Sequence, residues 1–223
     1  MHNLEKDAAM MAEKQRKLME TGYRLFSERT IEAVSMNEVA RESGVGIATM
    51  YRYYEKKQDF VVAISTWKWE KYWKGMQIRR NRAREQSTAV QDYDFFLNAF
   101  VEMYQEAPDM LRFNQYLNVY ARSLGTGPNS WNPFSTVIDE MAERFRLIWV
   151  KGERDGTLRA DVPWTEAFSA SLHIMLAAAT RYAVGLLYNP PEGMEPKSEL
   201  ELLKKLLLNQ FAARKREGEE NSR

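Results

Sequence analysis

Apolar residues recur three and four apart along nearly the whole chain, and no long alternating segment competes with them. This periodicity predicts an all-α fold. A first stripe of Leu18, Gly22, Leu25 and Phe26 is followed by a loop around Arg29 to Val34. Ser35 then opens a second helix with Glu38 three residues on. This is the spacing of a capping box, in which the hydroxyl accepts from the Glu38 amide and the carboxylate reaches back. The turn SGVG, Ser43 to Gly46, ends that helix, since Gly44 can take the left-handed conformation while Val45 packs beneath the turn. A third helix is predicted from Ile47 to about Tyr54. A long connector follows, from the polar stretch Glu55 to Gln58 onward to about Arg84.

Farther along, Phe96, Phe100 and Met103 form one stripe, Phe113, Tyr116, Leu117, Tyr120 and Leu124 another, and Phe134, Ile138, Met141, Phe145 and Trp149 a third. The turn-rich segment Gly125 to Pro133 separates the last two, and a second break is expected from Gly152 to Pro163. Two strongly apolar helices, about Trp164 to Tyr188 and Ser198 to Ala213, follow, and the tail at residues 216–223 is expected to be disordered.

The 223 residues suffice for one sizeable domain or two small ones sharing a core. With 32 Lys and Arg against 31 Asp and Glu, the formal charge of +1 gives no bulk attraction to a polyanion, so any such partner must be met locally. Charge is uneven: residues 61–86 hold seven basic and two acidic residues, a run that suits either a solvated helix face or a polyanion. Cysteine is absent, which excludes a disulfide framework, a thiolate nucleophile and a Cys-held metal. The charged N-terminus lacks the apolar stretch of a secretory signal. The longest apolar run, Leu172 to Leu187, is interrupted by Arg181 and falls short of the roughly 20 residues that span a bilayer. A cytoplasmic protein with no membrane partner is expected. With two His and no G-x-x-x-x-G-K-[ST], G-x-S-x-G or H-E-x-x-H pattern, no enzyme activity, cofactor or metal site is expected.

Three short helices with a tight connection between the second and third fit helix-turn-helix geometry, in which one helix crosses the DNA backbone and the next enters the major groove. The run from Lys14 to Ile64, most specifically GVGIATMYRYYEKK, resembles the DNA-binding domain of TetR-family transcriptional regulators. The resemblance implies a homodimer with a DNA-binding domain at residues 1–60, including an N-terminal arm, and a ligand-binding and dimerisation domain at residues 61–215. It implies double-stranded operator DNA as partner, repression relieved by a small apolar or aromatic effector, and dimerisation through the last two helices. Position by position, it puts Ile47, Ala48, Thr49, Tyr51, Arg52 and Tyr53 on the recognition helix, Lys57 at a phosphate, and Ser35 and Asn37 at the backbone and occasional bases. Hydroxyls and Lys suit phosphates, whereas Ile47 and Ala48 suit thymine methyls and Arg52 a guanine. Tyr54 stands at the family's usual Phe position and is expected inward with Met50, leaving Tyr51 and Tyr53 outward. Two departures stand out: Thr30 replaces the Gly that usually follows the first helix, and Gly46 replaces the usual hydroxyl cap of the third.

Trp67, Tyr72, Phe100, Tyr104, Phe113, Tyr116, Tyr120, Phe145 and Trp149 lie on apolar helical stripes, and any subset could line an effector cavity or fill a core. His173 lies seven residues from both Glu166 and Thr180, which suits a polar ligand-reading row or a dimer contact. The alternative function is a helical ligand-binding or protein-interaction module that has lost operator binding.

Overall fold

The computed structural model describes residues 2–83, 87–125, 135–186, 188 and 192–213. Most of the segment Gly125 to Pro133, the tail 216–223 and the C-terminal end of the connector at Arg84 lie outside the described residues. The described chain is all-α, as its periodicity predicts: α1 (His2–Arg29), α2 (Met36–Ser43), α3 (Ile47–Tyr53), α4 (Lys57–Ala83), α5 (Ala89–Glu106), α6 (Pro108–Ser123), α7 (Ser135–Asp155), α8 (Trp164–Val184) and α9 (Pro196–Phe211). Among the described residues the only extended pairing is an isolated bridge between Leu158 and Ala212.

Helix ends move from their expected places for local reasons. The first helix begins at His2, well before the Leu18 stripe. Residues 6–12 are exposed, Met10 and Met11 included, and the turns that follow are held by charge pairs at helical spacing, Arg16 with Glu13 and with Glu20, both at 2.8 Å. The seventh helix runs through Gly152, which is buried against Leu158, and stops only before Gly156 at φ 67°. The eighth ends at Val184, because Gly185 at φ 112° leaves the helical region. The ninth starts at Pro196, a residue suited to a first turn.

The chain divides into two compact units. One comprises residues 1–74 and 107–137, the other residues 75–106 and 138–223. In the first, Leu18, Leu25, Phe26, Val39, Met50, Tyr54, Phe60 and Ile64 form one core, joined by Phe113, Leu117 and Tyr120 of α6. The Tyr23 and Phe113 rings meet at 5.5 Å. The short helices α2 and α3 bury little surface alone, and α6 extends the core they share with α1. Gly22 sits where α1 meets α4: a Cβ there would lie 2.5 Å from Phe60 Cζ and 2.8 Å from Ile64 Cδ1.

In the second unit Tyr93, Phe96, Phe145, Trp149, Phe168 and Phe211 form a cluster of rings, with Phe145 stacked on Trp149 at 5.5 Å. Its polar edges are satisfied. The Tyr93 hydroxyl meets Ser171 Oγ at 2.8 Å, Ser171 donates to the Ala167 carbonyl, and Trp149 Nε1 donates to the Val162 carbonyl at 3.0 Å.

Gly22→Ala forces an overpacked α1–α4 contact and is expected to destabilise the protein by about 1–3 kcal/mol, measured by urea denaturation. Burial pushes the hydroxyls of Tyr23 and Tyr93 well above the ordinary tyrosine value of 10.0. Their contribution to stability is therefore complete below about pH 10 and is lost as pH rises beyond it, because the unfolded tyrosines ionise first. Absorbance at 295 nm with far-UV circular dichroism should find these two tyrosines ionising only as the chain unfolds.

Candidate nucleic-acid interface

Ser35 caps α2, its Oγ accepting from the Glu38 amide at 3.1 Å. The Glu38 carboxylate is held below the usual carboxylate range, chiefly by Arg29, whose Nη1 donates to it at 2.5 Å, and also by the Ser35 backbone. The hydroxyl half of the expected capping box is thus present, and the Glu38 carboxylate is bonded by Arg29. Gly44 closes α2 at φ 68°, its N–H donating to the Ala40 and Arg41 carbonyls, and Val45 is buried beneath it. Thr30, which ends α1, has φ 77°. A β-branched residue there is strained, which gives a structural reason why Gly suits this position.

The recognition helix α3 is only seven residues long and has no side-chain cap at Gly46. Met50 is fully buried, and Tyr54, 6% exposed, packs its ring 4.8 Å from Phe60. With that side anchored, Ile47, Ala48, Tyr51 and Arg52 lie together on the exposed side, with Ile47 41% and Tyr51 49% accessible. Thr49 is half-buried, while Ser35 and Asn37 are exposed at the start of α2.

Two residues sit differently from a simple outward reading. Tyr53 is half-buried, and its hydroxyl donates to the Met11 carbonyl of α1 at 3.1 Å. Lys57, half-buried at the start of α4, points Nζ at the Glu32 carbonyl, 3.4 Å away, and lies 5.5 Å from the Tyr120 ring centre. Burial draws its pKa down, partly offset by the Glu32 carboxylate.

Sequence reasoning missed the part played by the early turns of α1: besides Met11, Gln15 Nε2 donates to the Tyr54 hydroxyl at 3.1 Å. The substitution of Tyr for the family's usual Phe at position 54 is the signal that could have found it, because a buried hydroxyl requires a partner.

The ten side chains expected at an effector separate by environment. Phe113 and Tyr120 are buried in the core of the first unit, and Tyr116 packs against it. Phe145 and Trp149 are core residues of the second unit, and Phe100 is buried with its ring 5.6 Å from Phe96. Trp67, Tyr72 and Tyr104 are half-buried. His173, expected at a ligand or a dimer contact, is exposed on α8 and has Nδ1 3.2 Å from Ser169 Oγ. An open cleft of about 750 Å³ in the second unit is lined instead by Asp92, Asp139, Glu143, Arg144, Leu147 and Lys151 among others. No group of His, Asp and Glu able to hold a metal ion occurs among the described residues. No described helix is long and apolar enough to cross a membrane.

Residues 18–64, which span this helix-turn-helix, match the family model described as bacterial regulatory proteins, tetR family. That segment is a tetR-type helix-turn-helix. An HTH-type transcriptional regulator of Staphylococcus aureus (strain USA300) is 38% identical over 47 residues, which are 21% of this chain and 25% of that relative. The chain thus matches only a quarter of the length of that curated relative. Solved structures share the fold over most of the chain. A transcriptional regulator from Saccharomonospora viridis in complex with choline has a TM-score of 0.74 at 15% identity, covering 91% of this chain and all of its own. The regulator FadR from Bacillus subtilis in complex with stearoyl-CoA has a TM-score of 0.63 at 12% identity, covering 86% of this chain and 97% of its own.

Relief of the backbone strain at the end of α1 gives a direct test of the turn that leads into this tetR-type motif. Thr30→Gly is expected to stabilise the protein by about 1 kcal/mol, read as a raised midpoint in urea with an unchanged m-value.

Proposed function

We propose that this chain is a cytoplasmic transcriptional repressor that binds an inverted-repeat DNA operator as a homodimer and leaves it when a small apolar or aromatic effector binds. The observation that carries this reading is the exposed set Ile47, Ala48, Tyr51 and Arg52 on a short helix fixed from its other side by Met50 and Tyr54. An apolar pair beside an arginine matches what the major groove displays, thymine methyls and the guanine acceptors. Ser35, Asn37, Thr49 and Lys57 are assigned to the sugar-phosphate backbone, where hydroxyls, amides and an ammonium set register without reading sequence.

Dimerisation is assigned to α8 and α9. Ile174 and Val184 on α8 are 42% and 43% exposed, and Leu202 and Leu206 on α9 are 57% and 56% exposed, an apolar set that a second copy would cover. His173 falls on the same exposed face of α8 as Ile174, and we place it with the dimer contact. For the effector we retain, as separate candidates, Trp67 and Tyr72 in the first unit and Tyr104 in the second, whose rings are part-accessible. Structural neighbours that hold choline and stearoyl-CoA support a small-molecule partner in general without specifying its chemistry here. Helix α4 contributes residues to both compact units, so an effector that prefers one setting of α4 would shift the DNA-binding equilibrium by its differential affinity for the two.

The test is selection of duplexes from a random pool by the purified protein, followed by footprinting. The expected result is an inverted repeat whose half-sites lie about 34–36 Å apart, or a multiple of that. Lys57→Ala should weaken binding to every sequence and flatten the salt dependence by about one unit of slope, whereas Arg52→Ala should relax preference at one base position. Failure to enrich any sequence, or protection of a lone half-site by a monomer, would overturn the reading.

A further inference from the structure

Within the recognition helix, the contacts of Tyr53 lead away from the exposed face and toward α1. Its hydroxyl donates to the Met11 carbonyl at 3.1 Å, a contact across 42 residues of sequence. On the ring of the same tyrosine rests the Arg52 guanidinium, 5.7 Å from the centroid and within the range of a cation–π contact. One turn along α1 from Met11, Gln15 Nε2 donates to the hydroxyl of the next tyrosine, Tyr54, whose ring is seated against Phe60. Residues four apart share a helix face, so two consecutive tyrosines at the end of α3 are received by one face of α1. Met11 and Gln15 both precede residue 18, where the family match begins.

We infer that the early turns of α1 set the aim of Arg52 through Tyr53. The Met11 carbonyl fixes where the Tyr53 ring stands, and the ring fixes where the guanidinium rests before DNA arrives. Tyr53 is then a positioning residue, not a DNA contact. A long, exposed arginine samples many rotamers, and a ring tied at its far end restricts that sampling at the one side chain in α3 suited to bidentate reading of a guanine. The carbonyl of a helix residue has a second lone pair, so the Tyr53 bond adds to the internal bonding of α1 without replacing it.

The inference rests on the DNA-binding reading, and its test has one arm that needs no DNA. In the free protein, NMR of the Arg52 side chain should show its δ-protons shifted upfield by the Tyr53 ring. Tyr53→Phe keeps the ring and removes its tether. Gln15→Pro, in the full chain, drives the proline ring against the Met11 carbonyl and displaces that acceptor. Each should move the Arg52 signals toward random-coil positions, and the double variant should go no further than either alone. Signals unmoved in Tyr53→Phe would overturn the tether whatever the protein does with DNA.

The second arm uses the duplex that the wild-type protein selects from a random pool. Tyr53→Phe should lower affinity about fivefold, the order expected for one hydrogen bond, and leave the salt slope unchanged. Its loss should fall on the base position that Arg52→Ala desensitises, and should vanish in the Arg52→Ala background. A salt slope flattened by about one unit, or the same fivefold loss without Arg52, would make Tyr53 a direct DNA contact and overturn the inference. If the wild type selects no duplex, the repressor reading fails while the NMR arm still decides the tether.

Discussion

A seven-residue helix cannot hold itself together in water, because the cost of nucleation is spread over too few hydrogen bonds. Everything that α3 can do therefore depends on its burial. Met50 is fully enclosed, Tyr54 is seated on Phe60, and Val45 fills the turn before it, so one side of the helix belongs to the core. The remaining side chains are presented by default, and their composition decides what they can recognise. The close approach of α1 to α4 at Gly22 belongs to the same constraint, since the Phe60 ring that lies against Gly22 is the one that seats Tyr54.

The motif was legible in the sequence because its determinants are local. A serine three residues before a glutamate, a glycine followed by a buried valine, and a methionine four residues before a tyrosine each specify geometry within one or two turns. The positions of Ser35 and Gly44 follow from those spacings, and that of Tyr54 from its spacing to Met50 together with the resemblance. Thr30 could be recognised as a departure, although its positive φ came only from the structure.

What periodicity could not supply was the neighbour. The stripe Phe113, Tyr116, Leu117 and Tyr120 marks one apolar face of α6, yet nothing local says that this face completes the core around α1. Phe145 and Trp149 likewise look the same from sequence whether they meet a ligand or Tyr93 and Phe211. Tyr53 failed as an outward residue for a related reason. The helix that receives it does so through the backbone carbonyl of Met11, an acceptor that no side-chain pattern marks.

The place of α6 in the first core bears on how such chains exchange parts. The segment that matches the family model ends at residue 64, but Phe113, Leu117 and Tyr120, which complete the packing around it, come much later. A transplant of the first 64 residues onto a foreign partner would carry the exposed face of α3 and leave part of its supporting wall behind. Recombination that preserves function must then keep α6 compatible with the transplanted head. The exposed face of α3 and the sequence of a distant helix are in this sense inherited together.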